Sequence, residues 1–315
     1  MVANKKAVYF FCTKPDVDPV AGRVFAALEK IYSLVEADIV IDDNPVLKHR
    51  DDNGNEFYFV RTDKVIHHDY INYLPVMNRH FADFDFAGLV TWHEGQNAPD
   101  KIFPVHTIGD VDSGYFGKAN PLYLHNLFLS LEKNRLALGL EDFRVTTEGT
   151  HWSGVVFDGN PELIPQFPVP LVDIEIGSTP ASWSNLQAAE VIARALADVF
   201  TASGKTLKNL LCAGGTHFDQ AFGGAVLETW DNHAFGISHI LPNHWLVTGQ
   251  YEAEDGQRKL ENCLKSIEGG IDGIVFHDKL KGAYKEQLRQ LAKKYNIPAF
   301  KHQLLRRPVD IPWHP

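Results

Sequence analysis

The sequence predicts an α/β layer fold, and two observations carry that reading. Short apolar, β-branched or aromatic runs alternate with longer stretches whose apolar residues recur every three or four positions, the pattern of strands interleaved with helices. Across the 315 residues there is no internal repeat, low-complexity segment or Pro/Gly/Ser-rich linker, so one unit spanning 1–315, with loops elaborated over one face, is expected.

Taken in order, the first strand is predicted at 7–13 and is followed by a helix over 19–32 and a strand at 37–41. The turn Asp52-Asn53-Gly54 joins 46–50 to 56–61 as a hairpin, because Asn-Gly supplies the positive φ that a two-residue loop demands. A strand at 87–93, a helix over 121–138 and strands at 143–147 and 171–176 come next. Ser178-Thr179-Pro180 reads as the cap and first turn of a helix over 180–201, and Gly139 and Gly204 stand just past helix ends. The remainder is strand 208–213, helix 256–268, strand 273–276, helix 282–295 and strand 298–300.

The formal charge of −10 excludes indiscriminate nucleic-acid binding, which needs an excess of Lys and Arg, and leaves 301–307 as a local basic stretch. Cys12, Cys212 and Cys263 are odd in number and far apart, so they form neither a disulfide framework nor a CxxC site, and the reducing cytosol is the expected compartment. The apolar run 7–12 is too short for a signal peptide, and no apolar stretch of about 20 residues suits a membrane helix. GxGxxG, GxxxxGK[ST] and GxSxG are all missing, which removes the strongest grounds for a dinucleotide enzyme, a P-loop ATPase or an α/β-hydrolase.

Histidine is the compositional oddity: 15 residues, roughly twice average usage. His67, His68, His80, His233, His244 and His314 sit in polar or irregular surroundings and are expected at the surface. Five others follow strand-like runs: His93, His106, His151, His217 and His239. Open α/β sheets build their sites at the carboxyl ends of strands, so these five are expected to share a site. Glu148-Gly-Thr-His151 and Gly214-Gly-Thr-His217 are similar strings in which glycine lets backbone approach a ligand. Neutral imidazoles of this kind ligate zinc or act as a general base near pH 7, with Glu148, Glu175 or Asp173 as carboxylate partners. Thr150 and Thr216 read as hydrogen-bond donors or caps, and no HExxH or other short zinc motif is present.

The same strings resemble the archaeal and plant type-2 D-aminoacyl-tRNA deacylases, in order and along most of the chain. Asp42-Asp43-Asn44-Pro45-Val46 is similar to the family's Asp-Gly-Asn-Pro-Val, and His68-Asp69-Tyr70 to its Tyr-Asp-Tyr. His106-Thr-Ile-Gly109 resembles its Thr-His-x-Thr-Gly, and Glu148-Gly-Thr-His151 with Asp173-Ile-Glu-Ile-Gly-Ser178 resembles its Glu-Ala-Thr-His-His-Gly-Pro and Ile-Glu-Ile-Gly-Ser. Gly214-Gly-Thr-His217-Phe218, Gly236-Ile-Ser-His239-Ile-Leu-Pro242 and Lys281-Gly282 complete the series. Trp152, Ser153 and Gly154 depart from it, standing where the family has His-Gly-Pro.

The resemblance implies a three-layer α/β/α fold with a mixed sheet, phosphorylase/hydrolase-like and similar to peptidyl-tRNA hydrolase. It also implies zinc as cofactor, the aminoacyl end of tRNA as partner, and hydrolysis of the ester between a D-amino acid and the terminal ribose. With the residues above it assigns catalysis to Glu148, Thr150, His151, His217 and His239, substrate binding to Asp69, Trp152 and Lys281, and metal binding to His93, His106, His151 and Glu175. A monomer is expected. The alternatives are a metal-dependent amidohydrolase or peptidase on small substrates, with Trp152 flooring an apolar pocket, and a non-catalytic tRNA-binding relative.

Overall fold

A computed structural model describes residues 4–95 and 98–313; His314 lies outside the described residues. In chain order the strands are β1 (Lys6–Cys12), β2 (Val35–Ile41), β3 (Asn44–Arg50), β4 (Glu56–Thr62), β5 (Phe86–His93), β6 (Ile102–Thr107), β7 (Gly109–Asp110), β8 (Tyr115–Phe116), β9 (Arg144–Thr147) and β10 (Leu171–Gly177). They continue with β11 (Thr206–Ala213), β12 (Thr229–Trp230), β13 (His233–Leu241), β14 (Gly273–Phe276) and β15 (Ala299–Lys301). The helices are α1 (Ala21–Ile31), α2 (Tyr70–Phe81), α3 (Pro121–Ala137), α4 (Pro180–Trp183), α5 (Leu186–Leu196), α6 (Gln220–Ala225), α7 (Asn243–Thr248), α8 (Gly256–Ser266) and α9 (Gly282–Tyr295).

The mixed α/β class holds, with the strands divided between two main sheets. The larger runs β2-β3-β4-β1-β5-β10-β6-β9, with a parallel core of β4, β1, β5 and β10 and antiparallel joins at β3 and β6. The smaller runs β12-β13-β11-β14-β15 and is parallel apart from the edge strand β12. β6 and β13 are absent from the predicted strands. Pro104 interrupts the ladder pattern of the first, and Gly236, Ser238 and His239 interrupt the apolar run of the second.

Local chemistry explains the boundaries. Asn120 Oδ1 accepts from the backbone N–H of Leu122 and Tyr123, each at 3.1 Å, and Pro121 opens α3. The predicted helix 180–201 divides because Asn185 caps a new start, accepting from Ala188 N–H at 3.0 Å. The hairpin between β3 and β4 closes through residues 51–55 rather than a two-residue loop. Asp51 Oδ1 accepts from Asn53 and Asn55 N–H, and Gly54 takes the positive φ of 85°.

α1, α3 and α5 cover one face of the larger sheet, where Val24, Leu28, Leu127 and Ile192 pack on Tyr9, Phe11, Phe59 and Ile174. α2 covers the other through Tyr70, Leu74 and Met77 against Val8, Phe10 and Leu89. α3 joins the two sheets: Leu124 and Leu131 face the larger, while Phe128 enters the core of the smaller with Phe235 and Val275. Burying a side chain such as Phe128 stabilises by about 1.5–3 kcal/mol. The carboxyl edges of both sheets therefore meet beside one cleft.

Candidate active site

The period of two along a strand places Asp173 and Glu175 on one face of β10, and the antiparallel register sets Asp173 opposite His106 of β6. β5 lies on the other side and brings Thr91 and His93 to the same edge. Glu148 follows β9 directly, and its neighbours bind the smaller sheet: Gly149 N–H donates to His217 carbonyl at 2.9 Å and Thr150 N–H to Ile240 carbonyl at 2.8 Å. A Cβ on Gly149 would fall 2.2 Å from Pro242 Cγ, so the close join requires glycine.

Glu148 is the hub of the resulting cleft, which has a volume of about 850 Å³. The residue is 1 % exposed. Oε1 accepts a short hydrogen bond from His217 Nε2, while His93 Nε2 lies at 3.4 Å and His151 Nδ1 at 3.8 Å. Oε2 has no partner. Burial opposes ionisation of Glu148, but the hydrogen bonds of His217 and His93 and the charge of His106 outweigh it and hold the carboxyl well below its ordinary range. His93 is in turn raised: burial lowers it, and the hydrogen bond and charge of Glu148 prevail.

Behind this hub lies a second buried cluster. His106 Nε2 sits 3.5 Å from Asp173 Oδ2 and 3.9 Å from Glu175 Oε1, and His67 Nδ1 sits 3.4 Å from Asp173 Oδ2. Against the opposition of burial, Glu175, Asp173 and Glu148 push His106 up to about 10. Glu175 rises to about 7 through burial, with the charge of Glu148 adding to it. Asp173 falls, because His67 and His106 outweigh burial. His151 drops to about 3 through burial and the neighbouring charge of His106, and its Nδ1–H donates to Gly149 carbonyl at 2.9 Å. It is a neutral imidazole with its lone pair on Nε2.

His93, His106, His151 and His217 thus lie in one constellation with Glu148 and Glu175, but grouped otherwise than the sequence assigns. Among the described residues, three sets have ligating atoms within 4.8 Å of one another: His93-Glu148-His217, His106-Glu148-His151 and His106-Asp173-Glu175. The expected quartet of His93, His106, His151 and Glu175 is not one of them, because Glu148 stands between its members and His217 takes the position beside His93. The donor set His93-Glu148-His217 suits zinc: two imidazoles and a carboxylate with an unpartnered oxygen leave a position open.

Other assigned residues lie elsewhere. His239 is fully buried and bonds Thr107 Oγ1 at 2.8 Å, Thr150 Oγ1 at 3.2 Å and Ser266 Oγ at 2.9 Å, so His239 and Thr150 knit β13 to β6 and do not line the cleft. Burial lowers His239 to about 3. Trp152 is 2 % exposed and packs on Tyr70 and His67 in the core, outside the lining of the cleft. Asp69 pairs with Lys64 at 2.6 Å and holds Asn72, and exposed Lys281 precedes α9 on the smaller sheet; neither reaches the cleft.

Of the histidines expected at the surface, His67 is buried against Asp173 and His68 and His244 line the cleft. The sequence reading misses Trp92, Phe157 and Trp245, cleft-lining aromatics that belong to no short motif. Their only signal is position: Trp92 precedes His93, and Trp245 follows Pro242 on the first turn of α7.

A family model described as D-aminoacyl-tRNA deacylase matches residues 80–300. A curated D-aminoacyl-tRNA deacylase of Archaeoglobus fulgidus is 31 % identical over 173 residues, covering 52 % of this chain and 56 % of the relative. Its counterpart in Pyrobaculum aerophilum is 26 % identical over 213 residues, covering 67 % of this chain and 73 % of the relative. The alignments thus span about half to three quarters of these relatives' lengths. A crystal structure of a conserved protein of unknown function superposes with a TM-score of 0.73 at 21 % identity, covering 98 % of both chains, which shows the shared fold.

Proposed function

The chain belongs to the D-aminoacyl-tRNA deacylase family, and from that premise we propose that it hydrolyses the ester joining a D-amino acid to the terminal ribose of tRNA. The observation that carries the reading is the hydrogen bond between His217 Nε2 and Glu148 Oε1 inside the cleft.

A buried carboxylate accepting from one ring nitrogen fixes the tautomer of an imidazole and leaves the other nitrogen basic. Glu148 fixes His217 in this way, and the side chain of His217 is 29 % exposed. Its Nδ1 then takes the proton from a water attacking the ester carbonyl and returns it to the ribose oxygen as the bond breaks. Glu148 stabilises the imidazolium formed between the two transfers. His93, held toward protonation beside the same carboxylate, fixes the position of Glu148 and puts positive charge near the developing oxyanion. Zinc, when held by His93, Glu148 and His217, would supply a water of lowered pKa at the same place. The partner is the aminoacyl end of tRNA, and three free, buried cysteines suit a reducing cytosol.

The test is hydrolysis of D-Tyr-tRNA and L-Tyr-tRNA by the purified protein. The D-form is expected to be cleaved and the L-form spared, with Glu148→Gln lowering the rate by about 10²-fold or more. Folded protein that leaves both untouched yet cleaves small peptides or amides would select the amidohydrolase reading instead.

A further inference from the structure

We propose that Phe157 and His68 form a stacking platform for the terminal nucleobase of the substrate, the base that lies beyond the ribose carrying the ester. The inference rests on the deacylase reading and locates the nucleoside half of the substrate within the same cleft.

The cleft has two aromatic groups, one in ring contact with the histidines around Glu148 and one not. Trp245 belongs to the near group: its ring stacks on His151 at a centroid distance of 5.7 Å and meets His217 edge-on at 5.1 Å. Phe157 and His68 belong to the far group. They stack on each other with centroids 3.7 Å apart and 20° between planes, and His68 meets Trp92 edge-on at 6.2 Å. Neither is in ring contact with His93, His151 or His217. Covalent distance in the substrate sorts the halves in the same way. An amino-acid side chain begins two bonds from the ester carbonyl carbon, whereas the base is reached only through the ester oxygen and the carbons of the ribose. The near wall therefore faces the amino acid and the far wall the base.

The platform also has the right chemistry. Phe157 ends the short 3₁₀ turn Ser153–Phe157 and lines the cleft with 49 % exposure although His68 stacks on its ring, which leaves surface for a flat ligand. Val156, beside it on the cleft wall, is 78 % exposed and extends the apolar surface. Burial lowers His68 to about 4, so the ring beneath Phe157 is neutral at pH 7 and stacks without desolvating a charge. Stacking on such rings is tolerant of sequence because every base has a π-face, and every tRNA ends in adenosine.

Adenosine 5′-monophosphate is the probe, since it carries base, ribose and phosphate without the aminoacyl ester. Calorimetric titration should show it binding wild-type protein, roughly 5- to 150-fold more weakly to Phe157→Ala, and within about threefold of wild type to Phe157→Trp. KM for D-Tyr-tRNA should rise in parallel in Phe157→Ala. Equal nucleotide binding by wild type and Phe157→Ala, or none by wild type at millimolar concentration, would overturn the platform. Phe157-dependent nucleotide binding in a protein that leaves D-aminoacyl-tRNA intact would keep the platform and remove the deacylase reading.

Discussion

The imidazole of His151 lies against that of His106, with ring centroids 3.9 Å apart and 24° between their planes. Two stacked imidazoles at this distance cannot both carry a proton cheaply, and the surroundings decide which one does. Asp173 and Glu175 face His106, whereas the Nδ1–H of His151 is spent on a carbonyl. His106 holds the charge and His151 stays neutral. In metal-free protein, His106→Asn should therefore let His151 titrate nearer its ordinary value of 6.5 instead of about 3. Proton-detected NMR titration of the ring signals checks this, and an unmoved His151 would show that burial alone sets it.

The same cluster fixes how stability varies with pH. Glu175 is raised from 4.5 to about 7 and His106 from 6.5 to about 10. Each folded pKa lies above its ordinary value, so each contribution is full below that ordinary value and is lost as pH rises through the folded one. His68, His151 and His239, lowered by burial, act in the opposite sense below pH 6.5, so the two contributions are read as differences between wild type and variant in chelator-treated protein. The advantage in thermal stability of wild type over Glu175→Gln should fall across about pH 4.5–7, and that over His106→Asn across 6.5–10. A difference that rises across its window would contradict that assignment.

His217 and His239 should part company under substitution. His217→Ala removes the proposed base and is expected to lower kcat by about 10²-fold or more, with a melting temperature near that of wild type. His239→Ala leaves Thr107, Thr150 and Ser266 short of a partner. It should cost on the order of 1–3 kcal/mol in denaturant unfolding, while the folded fraction keeps its kcat. The reverse pattern would return catalysis to His239.

Trp152→His restores the family's residue type, but the setting here is built around indole. A Cβ on Gly154 or Gly159 would fall 2.2 Å or 2.5 Å from the Trp152 ring, so both glycines are fitted to it. The smaller imidazole should leave a cavity and cost about 2–4 kcal/mol of stability, with no gain in deacylation. Chemical denaturation beside the tRNA assay measures both. A more active Trp152→His protein would mean that the segment after His151 moves into the cleft.

For the metal, zinc titrated into chelator-stripped protein and followed by dialysis and elemental analysis should be retained by wild type and lost from the His93→Ala/His217→Ala double variant. Retention by the double variant would shift the ligands to the His106-Asp173-Glu175 cluster.

Much of this was legible in the sequence, and what was hidden has physical reasons. Strand 273–276 and helix 282–295 carry clean periodicity and coincide with β14 and α9. α2 is masked by Pro75 in its interior, which reads as a breaker although its ring is accommodated there. The division into two sheets is set by long-range pairing, on which local pattern is silent. In the site, the strings ending in His151 and His217 mark the right segments because glycine and strand ends are local signals. His67 was hidden because its burial depends on Asp173, more than a hundred residues away. Trp152 was open to misreading because an indole serves equally well in a core and in a pocket wall, and only its neighbours Tyr70, Gly154 and Gly159 decide.

The join at Gly149 and Pro242 gives the cleft a mechanical meaning. His93 and Glu148 ride on the larger sheet and His217 on the smaller, so the two halves of the chain are riveted where the chemistry would occur. A molecule seated there grips both sheets at once. It should make them unfold as one body, and the stabilisation should grow with the logarithm of its concentration. A ligand held by only one wall would leave the halves free to melt separately.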